Sequence, residues 1–106
     1  MRSQANNENE KQESVIMIFE WDPDKAAANE RKHGVTFLEA ATVFGDPLAI
    51  TFGDPDHSVN EQRYLTFGLS RLGRLLIVSH TDREDRTRII SARVMGRQEV
   101  KIYEEG

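Results

Sequence analysis

The run Thr87–Tyr103, TRIISARVMGRQEVKIY, constrains this chain most, because it carries a strand signal and a helix signal on either side of one glycine. Read at period two, Arg88, Ile90, Ala92 and Val94 share one face of a strand. Thr87, Ile89, Ser91, Arg93 and Met95 share the other. Gly96 ends the strand, and Arg97 to Tyr103 wind as two helical turns, with Glu99 and Tyr103 four residues apart on one face. A strand presenting a hydroxyl and a guanidinium beside a helix presenting a carboxylate and a phenol can hold a phosphate and a proton donor together.

The 106 residues, 38% of them apolar, fit one domain with a modest core. With no cysteine there is no disulfide framework, thiolate nucleophile or cysteine-based zinc site. No long apolar run and no charged-then-greasy leader is present, which predicts a cytoplasmic protein without membrane contact. The net charge of −4 argues against a generally basic nucleic-acid binder, but the charge is unevenly spread. Met17–Glu61 holds three basic and nine acidic residues, whereas Arg71–Lys101 holds eight basic and four acidic. All but one of those eight are arginine, the side chain suited to bidentate phosphate contacts.

Residues 1–16 have almost nothing to bury and are expected to form a disordered extension, leaving 17–106 as the domain. MIFEW, from Met17, reads as a first strand. Asp22-Pro23-Asp24 then opens a helix that runs to about His33 and stops at Gly34. Along it Lys25, Asn29 and Lys32 or His33 recur as a polar stripe. Thr36 starts a second helix, with Phe37, Ala40, Ala41 and Phe44 as its apolar face, ending near Gly45. Strands follow over Pro47–Phe52, Glu61–Ser70 and Arg74–Thr81, with a loop from Gly53 to Asn60. Arg74–Thr81 is apolar on both faces and therefore central. Asp82–Arg86 is the hairpin into the opening strand, and the order predicts an α+β domain with helices packed on one sheet face.

With those elements in place the chain resembles the BrnT family of toxins from type II toxin-antitoxin pairs, a branch of the RelE-like ribonuclease fold. Three stretches carry the likeness: FEWDPDKAAANERKHGVTF over Phe19–Phe37, EQRYLTFG over Glu61–Gly68, and TRIISARVMGRQEVKIY itself. The chain departs from the family pattern at Met95-Gly96, where a small residue and then Ser or Thr usually cap the last helix. The resemblance implies a RelE-like α+β fold: a strand, two helices, an antiparallel meander and a closing helix. It implies a metal-independent RNA endonuclease that inhibits translation on RNA, including ribosome-bound mRNA. It further implies a ribbon-helix-helix antitoxin that neutralises the toxin, and contact with operator DNA only through the complex of the two. Two other readings stand beside this one: a non-catalytic protein-binding module, and an inactive toxin that acts only in operon autoregulation.

RNA cleavage without a metal needs a base for the 2′-hydroxyl, a cation for charge developing on the phosphate, and an acid for the leaving oxygen. Arg93, on the strand face of Ser91 and at the last arginine of the family signature, is the first candidate for the phosphate. Its ordinary alternative is an ion pair with Glu99. Arg88 falls on the other face by parity and ranks lower. Ser91, and Arg83 in the hairpin, join Arg93 as catalytic groups on the phosphate, and Arg63 at a strand start extends the basic rim, with Arg97 and Lys25 as further RNA contacts; each of these charges also reads as an ordinary solvated one. His80, late in the central strand, is the candidate base, against the plainer reading of a tolerated polar strand end. Tyr103 is the candidate acid, with Glu99 to orient it, or else packs the last helix on the sheet. Lys25 and Asn29 line the other wall of the cleft or form a solvated helix face. His33 reads as structural, and His57 lies in a loop without an acidic partner. Three scattered histidines carry no metal-ligand spacing and no cofactor is implied. The expected site is a hollow in which late-strand guanidinium groups, Arg93 above all, converge with the phenol of Tyr103.

Overall fold

The computed structural model describes residues 16–106, so the expected disordered extension lies, apart from Ile16, outside the described residues. Strand β1 (Ile18–Glu20) leads into helix α1 (Pro23–His33) through a cap written in the sequence. The Asp22 carboxylate accepts from the Asp24 and Lys25 amides, and Pro23 takes the first helical position, where no amide is needed. Gly34 ends α1 in the left-handed region at φ 70°, and its N–H returns to the Glu30 carbonyl. Thr36 Oγ1 caps the short α2 (Phe37–Thr42) by accepting from Glu39 N, and one 3-10 turn follows over Val43–Gly45. Then come β2 (Ile50–Gly53), β3 (Tyr64–Leu69), β4 (Leu75–Arg83), β5 (Arg86–Val94) and the closing helix α3 (Arg97–Glu105).

The five strands form one sheet in the order β1-β5-β4-β3-β2. The meander from β2 to β5 is antiparallel throughout, while β1 runs parallel to β5 from Ile18 opposite Arg86 to Glu20 opposite Arg88. This is the α+β arrangement expected from the sequence, with one difference in layering. Helices α1 and α2 cover one face, where Leu76, Val78, Ile89 and Ala92 meet Val35, Phe37, Ala40 and Val43. Helix α3 lies on the opposite face, where Val100 and Tyr103 pack on Phe67, Ile77 and Met95. The reason is β4 itself, which is apolar on both sides and therefore needs two covers. Among the described residues no helix is long and apolar enough to cross a membrane.

Two local features set the position of the residues considered below. The first is a β-bulge. Ser79 faces Ser91 and His80 faces Ile89, so Ile90 has no partner on β4. One extra residue reverses parity beyond it, and strict alternation through Thr87–Met95 therefore fails. Arg88, Ser91 and Arg93 lie opposite Thr81, Ser79 and Ile77, on the α3 face together, while Ile89 and Ala92 point into the core under α1 and α2. The separation of Arg88 from Arg93 expected from parity is thus corrected.

The second feature is Asn29. Because β1 pairs with β5 only as far as Arg88, the outer edge of β5 beyond it has no strand neighbour among the described residues. The buried Asn29 carboxamide takes that place: Nδ2 donates to the Ala92 carbonyl at 2.9 Å and to the Val35 carbonyl at 3.0 Å, and Oδ1 accepts from Ala92 N at 3.0 Å. Asn29 is therefore a peptide surrogate that sews α1 to the sheet edge, not part of a solvated stripe.

Candidate active site

The loop from β2 to β3 folds back on itself before it reaches the sheet. Pro55 starts a 3-10 turn over Pro55–His57, and the Asp54 N–H donates to the Arg63 carbonyl at 2.8 Å. Ser58 Oγ donates to the Asp54 carbonyl at 2.6 Å and accepts from Arg63 N at 2.9 Å. These bonds bring the two ends of the loop together and set His57 beside Arg63.

The turn also pairs His57 with Asp54, Nδ1 to Oδ2 at 2.9 Å, with the carboxylate largely covered and the imidazole largely exposed. With its proton on Nδ1 donated to Asp54, the ring keeps a lone pair on Nε2. His57 thus has the acidic partner that the sequence reading denied it. The signal was there: Asp-Pro-Asp-His places the two groups three residues apart across a proline that begins a tight turn.

Asp54, His57, Arg63, Leu65, Ser79, Ile90 and Ser91 line one open hollow of about 230 Å³ on the α3 side of the sheet. Arg63 is half-buried there, its Nε is covered and without a hydrogen-bond partner, and among the described residues it forms no ion pair. A guanidinium, an imidazole oriented by a carboxylate, and two hydroxyls therefore surround one concave space. That set can bind a phosphate and move a proton beside it. Among the described residues no group of three or more His, Cys, Asp or Glu side chains is placed to hold a metal ion.

The other residues singled out in the sequence are placed as follows. Arg93 is on the same face, but its guanidinium is taken by Glu99 in a bidentate pair, Nη1 to Oε1 at 2.8 Å and Nη2 to Oε2 at 2.7 Å. Those bonds from Arg93, with help from the Gly96 amide, hold the Glu99 carboxyl at about 2. Glu99 accepts from Gly96 N at 2.7 Å, so α3 is capped despite the glycine. Tyr103 also lies under α3, yet its hydroxyl donates to Asp46 Oδ2 at 2.7 Å, which pushes the phenol's pKa up. Burial alone would raise the Asp46 carboxyl. The Leu69 amide, Tyr103 and the Leu48 amide instead bring it below its usual range. Neither Arg93 nor Tyr103 lines the hollow that holds Arg63 and Ser91; on the α3 face the guanidinium is held by Glu99 and the phenol by Asp46.

His80 is on the opposite, helix-covered face and 2% exposed. Its Nε2 meets Thr66 Oγ1 at 2.7 Å, its Nδ1 meets Asp82 Oδ1 at 3.0 Å, and Phe44 and Tyr64 flank the ring. Burial pushes its pKa down, against the pull of Asp82. As placed, His80 has no free nitrogen to offer a substrate. Arg83 pairs with Glu61 at 3.3 Å at the far end of β4, and Arg88 with Glu20 at 3.4 Å across β1 and β5. Arg97 is exposed at the start of α3. Lys25 lines a separate hollow on the α1 side that shares Ile90 and Ser91 with the first.

The comparisons with known proteins agree with this fold. A family model described as "Ribonuclease toxin, BrnT, of type II toxin-antitoxin system" matches residues 21–99. The crystal structure of the ribonuclease toxin BrnT from Brucella abortus is similar in fold, with a TM-score of 0.58 at 20% identity, covering 77% of this chain and 99% of that one. No curated protein sequence matches the chain.

Proposed function

The chain belongs to the BrnT family of ribonuclease toxins of type II toxin-antitoxin systems, and from that membership we propose that it is a metal-independent RNA endonuclease whose scissile phosphate binds at Arg63. Arg63 is the observation that carries the reading. The guanidinium is half-buried, lines the hollow beside His57 and, among the described residues, forms no ion pair although Asp54 lines the same hollow, so it is free to pair with a phosphate oxygen there.

The reaction follows from the groups around it. Arg63 holds the non-bridging oxygens, with the Ser79 and Ser91 hydroxyls as further donors. His57, fixed through Nδ1 by Asp54, takes the proton of the adjacent 2′-hydroxyl on Nε2. The 2′-oxygen attacks phosphorus and the bond from phosphorus to the 5′-oxygen breaks. The leaving oxygen takes a proton from water at the open mouth, and His57 later returns its proton to water. The products are a 2′,3′-cyclic phosphate and a free 5′-hydroxyl. Arg83, Arg88 and Arg93 are already held by Glu61, Glu20 and Glu99, so each contributes to RNA binding only where a substrate phosphate displaces its carboxylate, while the exposed Arg97 adds a free positive charge.

Membership of the family implies an antitoxin partner. We take it to be a ribbon-helix-helix protein through which operator DNA is met, and an adjacent reading frame of that kind whose product copurifies with the chain tests this. The enzymatic reading is tested with purified protein and RNA in EDTA. Cleavage leaving cyclic phosphate ends is expected, with Arg63→Ala and His57→Ala each lowering kcat/KM by about 100-fold or more. A wild-type protein that cuts neither free nor ribosome-bound RNA, or that cuts only with added metal, overturns it.

A further inference from the structure

The bulge at Ile90 places two hollows back to back. The one holding Arg63 and His57 and the one beside α1 share Ile90 and Ser91 in their linings. Among the described residues no strand lies outside β5 at this level, because β1 ends its pairing at Arg88, and the Asn29 carboxamide takes the edge at Ala92. The second hollow, of about 210 Å³, is bordered by Lys25, Lys32 and His33 and by no acidic side chain. Lys25 and Lys32 are exposed and, among the described residues, form no ion pair. They are seven residues apart on one face of α1, about 10 Å along its axis, too far for both to hold one phosphate. On a chain of net charge −4, this concave patch of positive groups next to a phosphate-binding hollow calls for an explanation.

We propose that an RNA strand whose scissile phosphate sits at Arg63 continues over Ile90 and Ser91 into the α1 hollow, where Lys25 and Lys32 hold phosphates flanking the cut. The inference rests on the reading of Arg63 above and deepens it, because it makes the substrate a single strand several nucleotides long that wraps the open edge of β5. A duplex is too wide to bend over one strand edge, so single-stranded RNA is the substrate class. Ser91, reached from both hollows, is the pivot of the path.

The test uses the full chain and a non-cleavable 2′-O-methyl RNA decamer and trimer, with Lys25→Gln/Lys32→Gln as the variant. Both positions are solvent-facing on a capped helix, so an unchanged melting curve is expected. For two single-strand phosphate contacts the slope of log affinity against log salt falls by about 1.4, which weakens decamer binding about 25-fold near 0.1 M salt, while trimer binding stays the same. Equal decamer binding by wild type and variant overturns the path, as does equal weakening for trimer and decamer. Displacement of the decamer by polyglutamate of matched charge as readily as by unlabelled RNA also overturns it, pointing to an acidic protein instead. The outcome is separable from that of the cleavage assay. A wild type that binds the decamer with the predicted slope but cuts nothing leaves the path standing and removes only the enzymatic reading.

Discussion

Replacing Asn29 by alanine is the sharpest test of how the sheet edge is held. The carboxamide makes three hydrogen bonds, at 2.9, 3.0 and 3.0 Å, to the Ala92 carbonyl, the Val35 carbonyl and the Ala92 amide. Ala92 is 1% exposed and Val35 not at all while the carboxamide is in place; the α1 hollow that Asn29 lines gives water partial access once it is removed, which puts the cost at the low end of the range. Truncation removes one side of each bond and leaves the backbone group behind, the costly case, at about 1–3 kcal/mol per group. Taking the low end for three groups, the loss is about 3–4 kcal/mol, a large part of the stability of a domain this size. Urea unfolding reads it as a midpoint lowered by about 2 M with an unchanged slope. Asn29→Asp separates donor from acceptor: it keeps the acceptor for Ala92 N but sets a carboxylate against two carbonyls. It should therefore be at least as unstable as alanine near pH 7 and recover partly in acid, as the carboxyl gains a proton and can donate again. If Asn29→Ala costs less than about 1 kcal/mol, the carboxamide is not serving as a strand partner and the account of the open β5 edge is wrong.

Other outcomes follow from the same geometry. The Glu99 carboxyl sits at about 2 against an ordinary 4.5, so its pair with Arg93 stabilises the fold fully above about pH 4.5 and ceases to do so as the pH falls toward 2. With the Arg93 side chain 45% exposed, screening limits the pair to about 1 kcal/mol. Glu99→Gln should therefore be less stable than wild type at neutral pH and equal to it near pH 2. A gap that persists in acid refutes the ion-pair account. His80, held below its ordinary 6.5 by burial, makes the unfolded chain the better proton binder, so stability drops as the pH falls below about 6.5. His80→Gln should flatten that part of the urea-unfolding profile and leave RNA cleavage by the folded protein within a few-fold of wild type; a 100-fold loss of cleavage would make His80 the base. Finally, Arg63→Met exchanges a half-buried, unpartnered guanidinium for an apolar side chain. It should keep or raise the melting temperature while RNA cleavage falls, and a marked loss of stability would assign Arg63 to structure instead.

The fold was largely legible because its local signals agree with one another. Asp22, Pro23 and Gly34 bound α1, Thr36 opens α2, and alternation in β3 and the doubly apolar β4 give the sheet. What alternation could not reveal was the bulge. IISARV contains no glycine and its parity reads unbroken, since the slip at Ile90 is set by β4 and by the Asn29 anchor, both distant in sequence. The placement of Arg88 failed for that reason alone. His80 was misread for a related one: its seal comes from Phe44 in the 3-10 turn and from Tyr64 and Thr66 on β3, two elements distant from it in sequence. Tyr103 was legible as a residue on the inner face of α3, but its acceptor, Asp46, lies in the turn before β2, more than fifty residues away.

The charge distribution shows why one arginine differs from the rest. The sequence separates an acidic first half from a basic second half, yet the fold interleaves them. Glu20 meets Arg86 and Arg88, Glu39 meets Arg74, and Glu61 meets Arg83. Most of these pairs are at least partly exposed and contribute little each, but together they neutralise arginines that would otherwise give the second half a broad positive field. Arg93 is neutralised locally by Glu99. The unpaired positive groups divide into two kinds: side chains such as Arg31, Arg71 and Arg97, which water solvates, and Arg63, whose Nε is shut away from it. Among the described residues Arg63 is the half-buried guanidinium without an ion pair that faces the hollow beside His57. Cleavage specificity should therefore depend on what reaches Arg63, and the exposed lysines of α1 should govern how strongly and at what ionic strength a strand is drawn toward it.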